Sequence, residues 1–130
     1  MNSFPKNPEY FGPGIWFVIH IIALKADNNS EDDKKNFMTL IKHIIYNIPC
    51  DICKKNAIQY YNRNYMLNTS SLFEWSVIFH NYVNYKLGKR KFSYNEAKIL
   101  YENQNRCISC NNETNETNET LTRINYSPMY

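Results

Sequence analysis

Glycine is scarce in this chain: only 3 of 130 residues. Turn-rich β folds depend on residues that tolerate positive φ, so long elements with few tight turns are expected instead. No stretch alternates apolar and polar residues in the manner of a half-buried strand. A long hydrophobic run is also missing. The longest apolar-rich segment, Ile15 to Leu24, is about half the length of a membrane span and contains His20. The opening Met1-Asn2-Ser3-Phe4-Pro5 has neither the basic start nor the cleavage site of a secretory leader. The expectation is a soluble protein with no signal peptide and no membrane partner. A net charge of +3 with no basic stripe behind it argues against nucleic acid.

What is present is helical periodicity. Gly12-Pro13-Gly14 introduces a first helix over about Ile15 to Lys25, apolar nearly all round and therefore expected to be buried between others. Ser30 can cap a second helix whose first turn carries Glu31, Asp32 and Asp33, charges that suit the positive end of a helix dipole. Its Phe37, Leu40, Ile41, Ile44, Ile45 and Ile48 advance by three and four, which makes a core-facing stripe. Pro49 ends that helix and suits the first turn of another, about Asp51 to Asn64. Asn62 to Ser70 reads as a polar turn region. Ser71 with Glu74 opens a fourth helix that runs to about Leu87 and stops at Gly88. Ser93 with Glu96, and Phe92 with Ala97, announce a short fifth helix to about Asn103. The fold class is all-α: a four-helix bundle with a short fifth helix. The folded domain is expected over residues 1–103. Residues 104–130, with their NETNETNET repeat, have the composition of a flexible tail. The N-x-T triplets there and the N-x-S triplet Asn68-Thr69-Ser70 match glycosylation acceptors, although the opening residues lack a secretory leader's features.

Four cysteines fall in two C-x-x-C pairs, Cys50/Cys53 and Cys107/Cys110. A pair at a helix start has a chemical logic. The helix end stabilises a thiolate, and the spacing lets one thiol attack an outside disulfide while the other resolves it. Lys54 and Lys55 add positive charge and Asp51 opposes it. A zinc half-site or an inert pair has the same spacing. Against zinc, more than fifty residues separate the pairs, compared with roughly 15–20 in a zinc ribbon. A thioredoxin fold needs a strand before the motif, and here a periodic helix precedes it.

The segment HNYVNYKLGK, residues 80–89, places His80 and Asn84 one helical turn apart, with Val83 and Leu87 on the same side and Asn81 three residues from Asn84. Such groups are either solvated on an outer face or must find hydrogen-bond partners, at roughly 1–3 kcal/mol each if they do not. A planar heteroaromatic ligand would satisfy them. Trp16 and His20, with Gly12 a turn earlier, repeat the pattern on the first helix, where a satisfied core histidine is the plainer reading. Together with a redox-type C-x-x-C, the two faces point to a flat redox cofactor between helices.

In order, GPGIWFVIH, PCDIC, FEWSVIFHNYVNYKLGK and FSYNEAKILY resemble the Erv/ALR family of FAD-linked sulfhydryl oxidases, over about Gly12 to Tyr101. The resemblance implies a helical bundle holding FAD at one end, usually as a homodimer. It makes Cys50 and Cys53 the redox-active pair, with Cys53 against the flavin and Cys50 exchanging with incoming disulfides. Gly12, Trp16, His20, His80, Asn81, Val83, Asn84, Leu87 and Lys89 match positions that line the cofactor, and Tyr101 stands where many members carry tryptophan. No G-x-G-x-x-G loop is available for a pyrophosphate, so cationic side chains must meet its charge, and Lys86, Lys89 and Arg90 cluster where the fourth helix ends.

The implied reaction is a thiol oxidation. Dithiols of a protein or thioredoxin-like substrate pass electrons through Cys50/Cys53 to FAD and then to oxygen, giving hydrogen peroxide, with no metal. A helical zinc-binding or scaffold module using both cysteine pairs is the alternative. Many members carry an extra cysteine pair on a flexible arm, the role implied for Cys107 and Cys110. Only three residues separate that pair from the expected helix end, a reach of roughly 10 Å. Ser71 and Tyr94 stand where cellular members often place a second, structural disulfide, so lower thermal robustness is expected. The compact, Asn-, Ile-, Lys- and Tyr-rich chain is most similar to the oxidases of large cytoplasmic DNA viruses. That likeness implies the cytoplasm of an infected host cell, and the virion, as locations.

Overall fold

The computed structural model describes residues 3–64 and 69–103. The expected shuttle pair Cys107/Cys110 and the rest of the 104–130 segment lie outside the described residues. Five helices and no strand make up the described residues: α1 (Pro8–Asp27), α2 (Glu31–Tyr46), α3 (Asp51–Asn64), α4 (Leu72–Lys86) and α5 (Tyr94–Asn103). The chain divides into two compact units, one ending at Lys91 and the other beginning at Phe92.

In the first unit each helix packs on the next, and α4 closes back on α1, so the four form a ring around one core. Phe37, Ile41, Ile45, Ala57, Tyr60, Trp75 and Phe79 are buried there. Aromatic contacts join three of the helices: Phe37 meets Trp75 edge-on at 6.2 Å, and Tyr60 stacks on Phe79 at 4.9 Å and 11°. Full burial of side chains this size stabilises by roughly 1.5–3 kcal/mol each.

α1 begins two turns before the position expected from Gly12-Pro13-Gly14. The stronger signal was Asn7-Pro8-Glu9. Asn7 Oδ1 accepts the Glu9 N–H at 2.9 Å, Pro8 sits in the first turn where its missing N–H costs nothing, and Glu9 complements the helix dipole. Pro13 therefore lies inside the helix, where it forfeits one backbone bond. The helix is not buried all round either. Ile19, His20, Ala23 and Ala26 face the core, whereas Val18 is exposed.

The other boundaries follow their caps. Ser30 Oγ accepts the Asp33 N–H, and Ile48 falls just beyond the end of α2. The Cys50 carbonyl accepts the Lys54 N–H at 2.8 Å as α3 starts. Ser71 Oγ accepts the Glu74 N–H at 3.0 Å, but the Glu74 carboxylate reaches Ser70 rather than Ser71, at 2.7 Å to its N–H. A hydrogen bond from the Ser70 hydroxyl, with that N–H second, holds the Glu74 carboxyl below its ordinary range. Asp27, at the end of α1, accepts the N–H groups of Leu72 and Phe73 at 2.7 and 2.9 Å. These bonds fix α1 and α4 antiparallel and set their register.

α4 ends in a Schellman motif. Gly88 takes φ +70°, Gly88 N–H donates to Tyr85 C=O, and Lys89 N–H donates to Asn84 C=O at 2.8 Å. The glycine is required for this positive φ. In the second unit, Ser93 Oγ accepts the Glu96 N–H at 3.1 Å, and Ala97, Leu100 and Tyr101 share the buried side of α5. Among the described residues, no helix is long and apolar enough to cross a membrane.

Candidate active site

Cys50 and Cys53 form a disulfide at the start of α3. The Cys53 N–H points at Cys50 Sγ, 3.3 Å away. The first cysteine thus takes the place of an N-cap side chain, and negative charge on its sulfur would be stabilised by that N–H and the helix dipole. Cys53 lies one turn before buried Ala57 and two turns before Tyr60, the residue that stacks on Phe79 of α4. Of the pair, Cys53 therefore sits on the core-facing stripe. Ile52 between them is exposed.

Between α1 and α4 the antiparallel register set by Asp27 brings two sequence-distant motifs together. Trp16 stacks on His80 at 4.1 Å with an interplanar angle of 9°, and His20 lies beyond it at 5.8 Å from the indole. His20 Nε2 is 3.0 Å from His80 Nδ1, and His20 Nδ1 is 2.8 Å from Ser76 Oγ. Burial holds His20 well below the usual imidazole range, and neighbouring His80 adds to the effect. Burial, with the Lys89 charge second, brings His80 down to about 3. Both rings are neutral at pH 7.

His80 and Asn84 are not solvated on an outer face; both are buried. Asn84 is 3% exposed, one turn from His80 on the same side of α4. Over Gly12, a turn before Trp16, an added Cβ would meet nothing within 4 Å. The Schellman turn delivers Lys89 to Glu9 at the start of α1, with a 3.0 Å ion pair, and leaves its charge near His80. Lys86 lies over the Tyr82 ring at 5.5 Å, Val83 is half-buried and Leu87 is partly exposed. Asn81 is not with this group. It lines a separate cleft of about 390 Å³ with Tyr60, Ile78, Tyr82, Tyr85 and Lys91. Tyr101 belongs to the second unit. Burial pushes the Tyr60 phenol up to about 12, so it is protonated at neutral pH.

Ser76 is the participant that sequence reading missed. It lies four residues before His80, a signal that was available, yet a lone serine in an apolar helix reads as unremarkable until its partner on α1 is known. His20 is fully buried with both ring nitrogens engaged, so its influence on a ligand must pass through His80.

These features fit a flat, hydrogen-bonding, anionic nucleotide cofactor: an aromatic and imidazole stack, a buried asparagine one turn on, and cations at a helix end. Comparison with known proteins agrees with that reading. A chain named "FAD-linked sulfhydryl oxidase" from African swine fever virus (isolate Tick/Malawi/Lil 20-1/1983) is 33% identical over 96 residues, covering 72% of this chain and 81% of the relative. The "Mitochondrial FAD-linked sulfhydryl oxidase ERV1" of Saccharomyces cerevisiae is 29% identical over 97 residues, covering 70% of this chain and 50% of the yeast protein. No solved structure matches. The model of the Erv1/Alr family matches residues 13–105, a span that takes in the cysteine pair, the α1–α4 seam and α5, and the chain belongs to that family.

Proposed function

We propose that this chain is an FAD-linked thiol oxidase that makes disulfide bonds in protein or thioredoxin-like dithiol substrates. The observation that carries the reading is the Cys50–Cys53 disulfide at a helix start, in a family member whose neighbouring helices hold an aromatic, imidazole and amide cluster. The zinc-module alternative loses its ground, because the chain belongs to a family with members named as oxidases.

In the proposed reaction a substrate thiolate attacks Cys50 Sγ, forming a mixed disulfide, and Cys53 leaves as a thiolate. The second substrate thiolate attacks the substrate sulfur of that mixed disulfide. Oxidised substrate departs, and the enzyme retains two reduced cysteines and the electron pair. The Cys53 N–H and the start of α3 stabilise charge on Cys50 during this exchange. Bound FAD would supply a two-electron acceptor for that pair, reoxidised by oxygen to give hydrogen peroxide. Trp16, His80 and Asn84 would hold its ring system, with Gly12, Val83 and Leu87 supplying surface. Lys86 and Lys89 would meet its phosphates. His20 would act through His80.

The same reading includes a homodimer; Tyr10, Gly14 and Val18, one turn apart on α1, offer exposed surface to a second copy. It also assigns Cys107 and Cys110 as a relay to Cys50. The direct test is purification followed by addition of a dithiol. A yellow protein that consumes oxygen and forms hydrogen peroxide supports the proposal. A colourless protein that releases zinc, or a yellow one that consumes no oxygen, refutes it. Replacing Cys107 and Cys110 with alanine should slow turnover of a protein substrate and leave that of a small dithiol unchanged.

A further inference from the structure

Three short contacts run in series from α4 to α1 and back. Ser76 Oγ lies 2.7 Å from the Phe73 carbonyl, 2.8 Å from His20 Nδ1, and His20 Nε2 lies 3.0 Å from His80 Nδ1. The carbonyl can only accept, so the serine hydrogen goes there. Ser76 Oγ then accepts from His20, which must carry its proton on Nδ1. His20 Nε2 is left with a lone pair and can only accept, so His80 also carries its proton on Nδ1. Only this assignment makes all three contacts hydrogen bonds with a donor in each. It leaves His80 Nε2 as a bare lone pair, one helical turn from the Asn84 side chain.

We propose that Ser76 and His20 are positioning residues that lock His80 in its Nδ1–H tautomer, making Nε2 a permanent acceptor for an N–H or O–H donor of the bound flavin nucleotide. The described residues give His80 Nε2 no hydrogen bond, so the donor must come from outside them. The neutrality of both buried rings keeps the arrangement intact at physiological pH, and the Lys89 charge beside His80 disfavours a second proton. A histidine free to exchange tautomers would have to choose one on binding; here the choice is made in advance by a hydroxyl that itself touches no ligand. The identity of the ligand rests on the function proposed above, whereas the tautomers do not.

The test is nitrogen NMR of the full chain, as purified, labelled at its histidines. His20 and His80 should each show a protonated Nδ1 and a bare Nε2. Ser76→Ala removes the first acceptor, so part of the His80 population should move to Nε2–H, and flavin retention should weaken about tenfold, the equivalent of one hydrogen bond. Ser76→Thr, which restores a hydroxyl, should recover both. A wild-type His80 with a protonated Nε2 overturns the proposal without any variant, as does an alanine variant whose tautomers are unchanged. Colourless protein with the stated tautomers would support the relay and sink the flavin reading. Yellow protein with His80 protonated on Nε2 would do the reverse.

Discussion

On one side of α4, Trp75 meets Phe37 of α2 and Tyr60 of α3, an arrangement of rings held by area and shape. On the other, Ser76 and His80 meet His20 of α1 through directional bonds, Trp16 stacks on His80, and Asn84 is buried. The two sides differ in what a substitution can damage. Apolar packing is tolerant of detail and sensitive to volume. A buried polar chain is sensitive to a single atom, because each donor needs one acceptor. The contrast explains why one helix can serve both as structural centre and as a wall of the proposed site.

The largest effect should come from breaking neither side but the electron path. Cys53→Ser is expected to reduce oxygen consumption to the rate without enzyme while the protein stays folded and yellow; normal turnover would rule out the assigned pair. Next, Trp75→Ala should cost about 3–5 kcal/mol in urea unfolding, through the cavity it leaves among Phe37, Tyr60 and Phe79.

Acid should act on the polar side. The unfolded chain takes up protons at His20 and His80 below about pH 6.5, whereas the folded chain keeps both rings neutral, His80 until about pH 3. Stability is therefore fully present above pH 6.5 and falls as the pH drops through the window toward 3. The decline should approach about 1.4 kcal/mol per pH unit for each ring. Unfolding midpoints at pH 7.5, 6 and 5 measure it, and a flat profile would contradict the neutral pair.

Asp27→Asn, which weakens a two-bond cap joining α1 to α4, should cost about 1–2 kcal/mol. Because these bonds help set the α1–α4 register, it should also loosen flavin retention, whereas Trp75→Ala should act chiefly on stability. Smallest is Gly88→Ala, at about 1 kcal/mol. It strains the positive φ without any steric clash, and it should weaken flavin retention through the displaced Lys89. Equal retention in the Asp27 and Gly88 variants and wild type would separate the α1–α4 seam from cofactor binding.

Local signals were read correctly where the deciding interaction is local. Ser30, Ser71 and Ser93 each accept an N–H three residues on, α3 spans Asp51 to Asn64 as expected, and Gly88 ends α4 with a positive φ. The one large miss, the start of α1, came from weighing Gly12-Pro13-Gly14 above the Asn7-Pro8-Glu9 cap. Val18 was a second error of the same helix, since apolar composition alone does not say which face a neighbour covers.

The sequence by itself determined that this protein is helical, where most of its helices stop, and that a cysteine pair opens one of them, because caps, helix-stopping glycine and periodicity act over three or four residues. The packing of α1 against α4 decided that Trp16 lies on His80, that His20 is spent between Ser76 and His80, and that Asn84 is buried. Those facts depend on residues some sixty positions apart being brought into hydrogen-bond range, and a hydrogen bond's direction is fixed by the groups at both its ends.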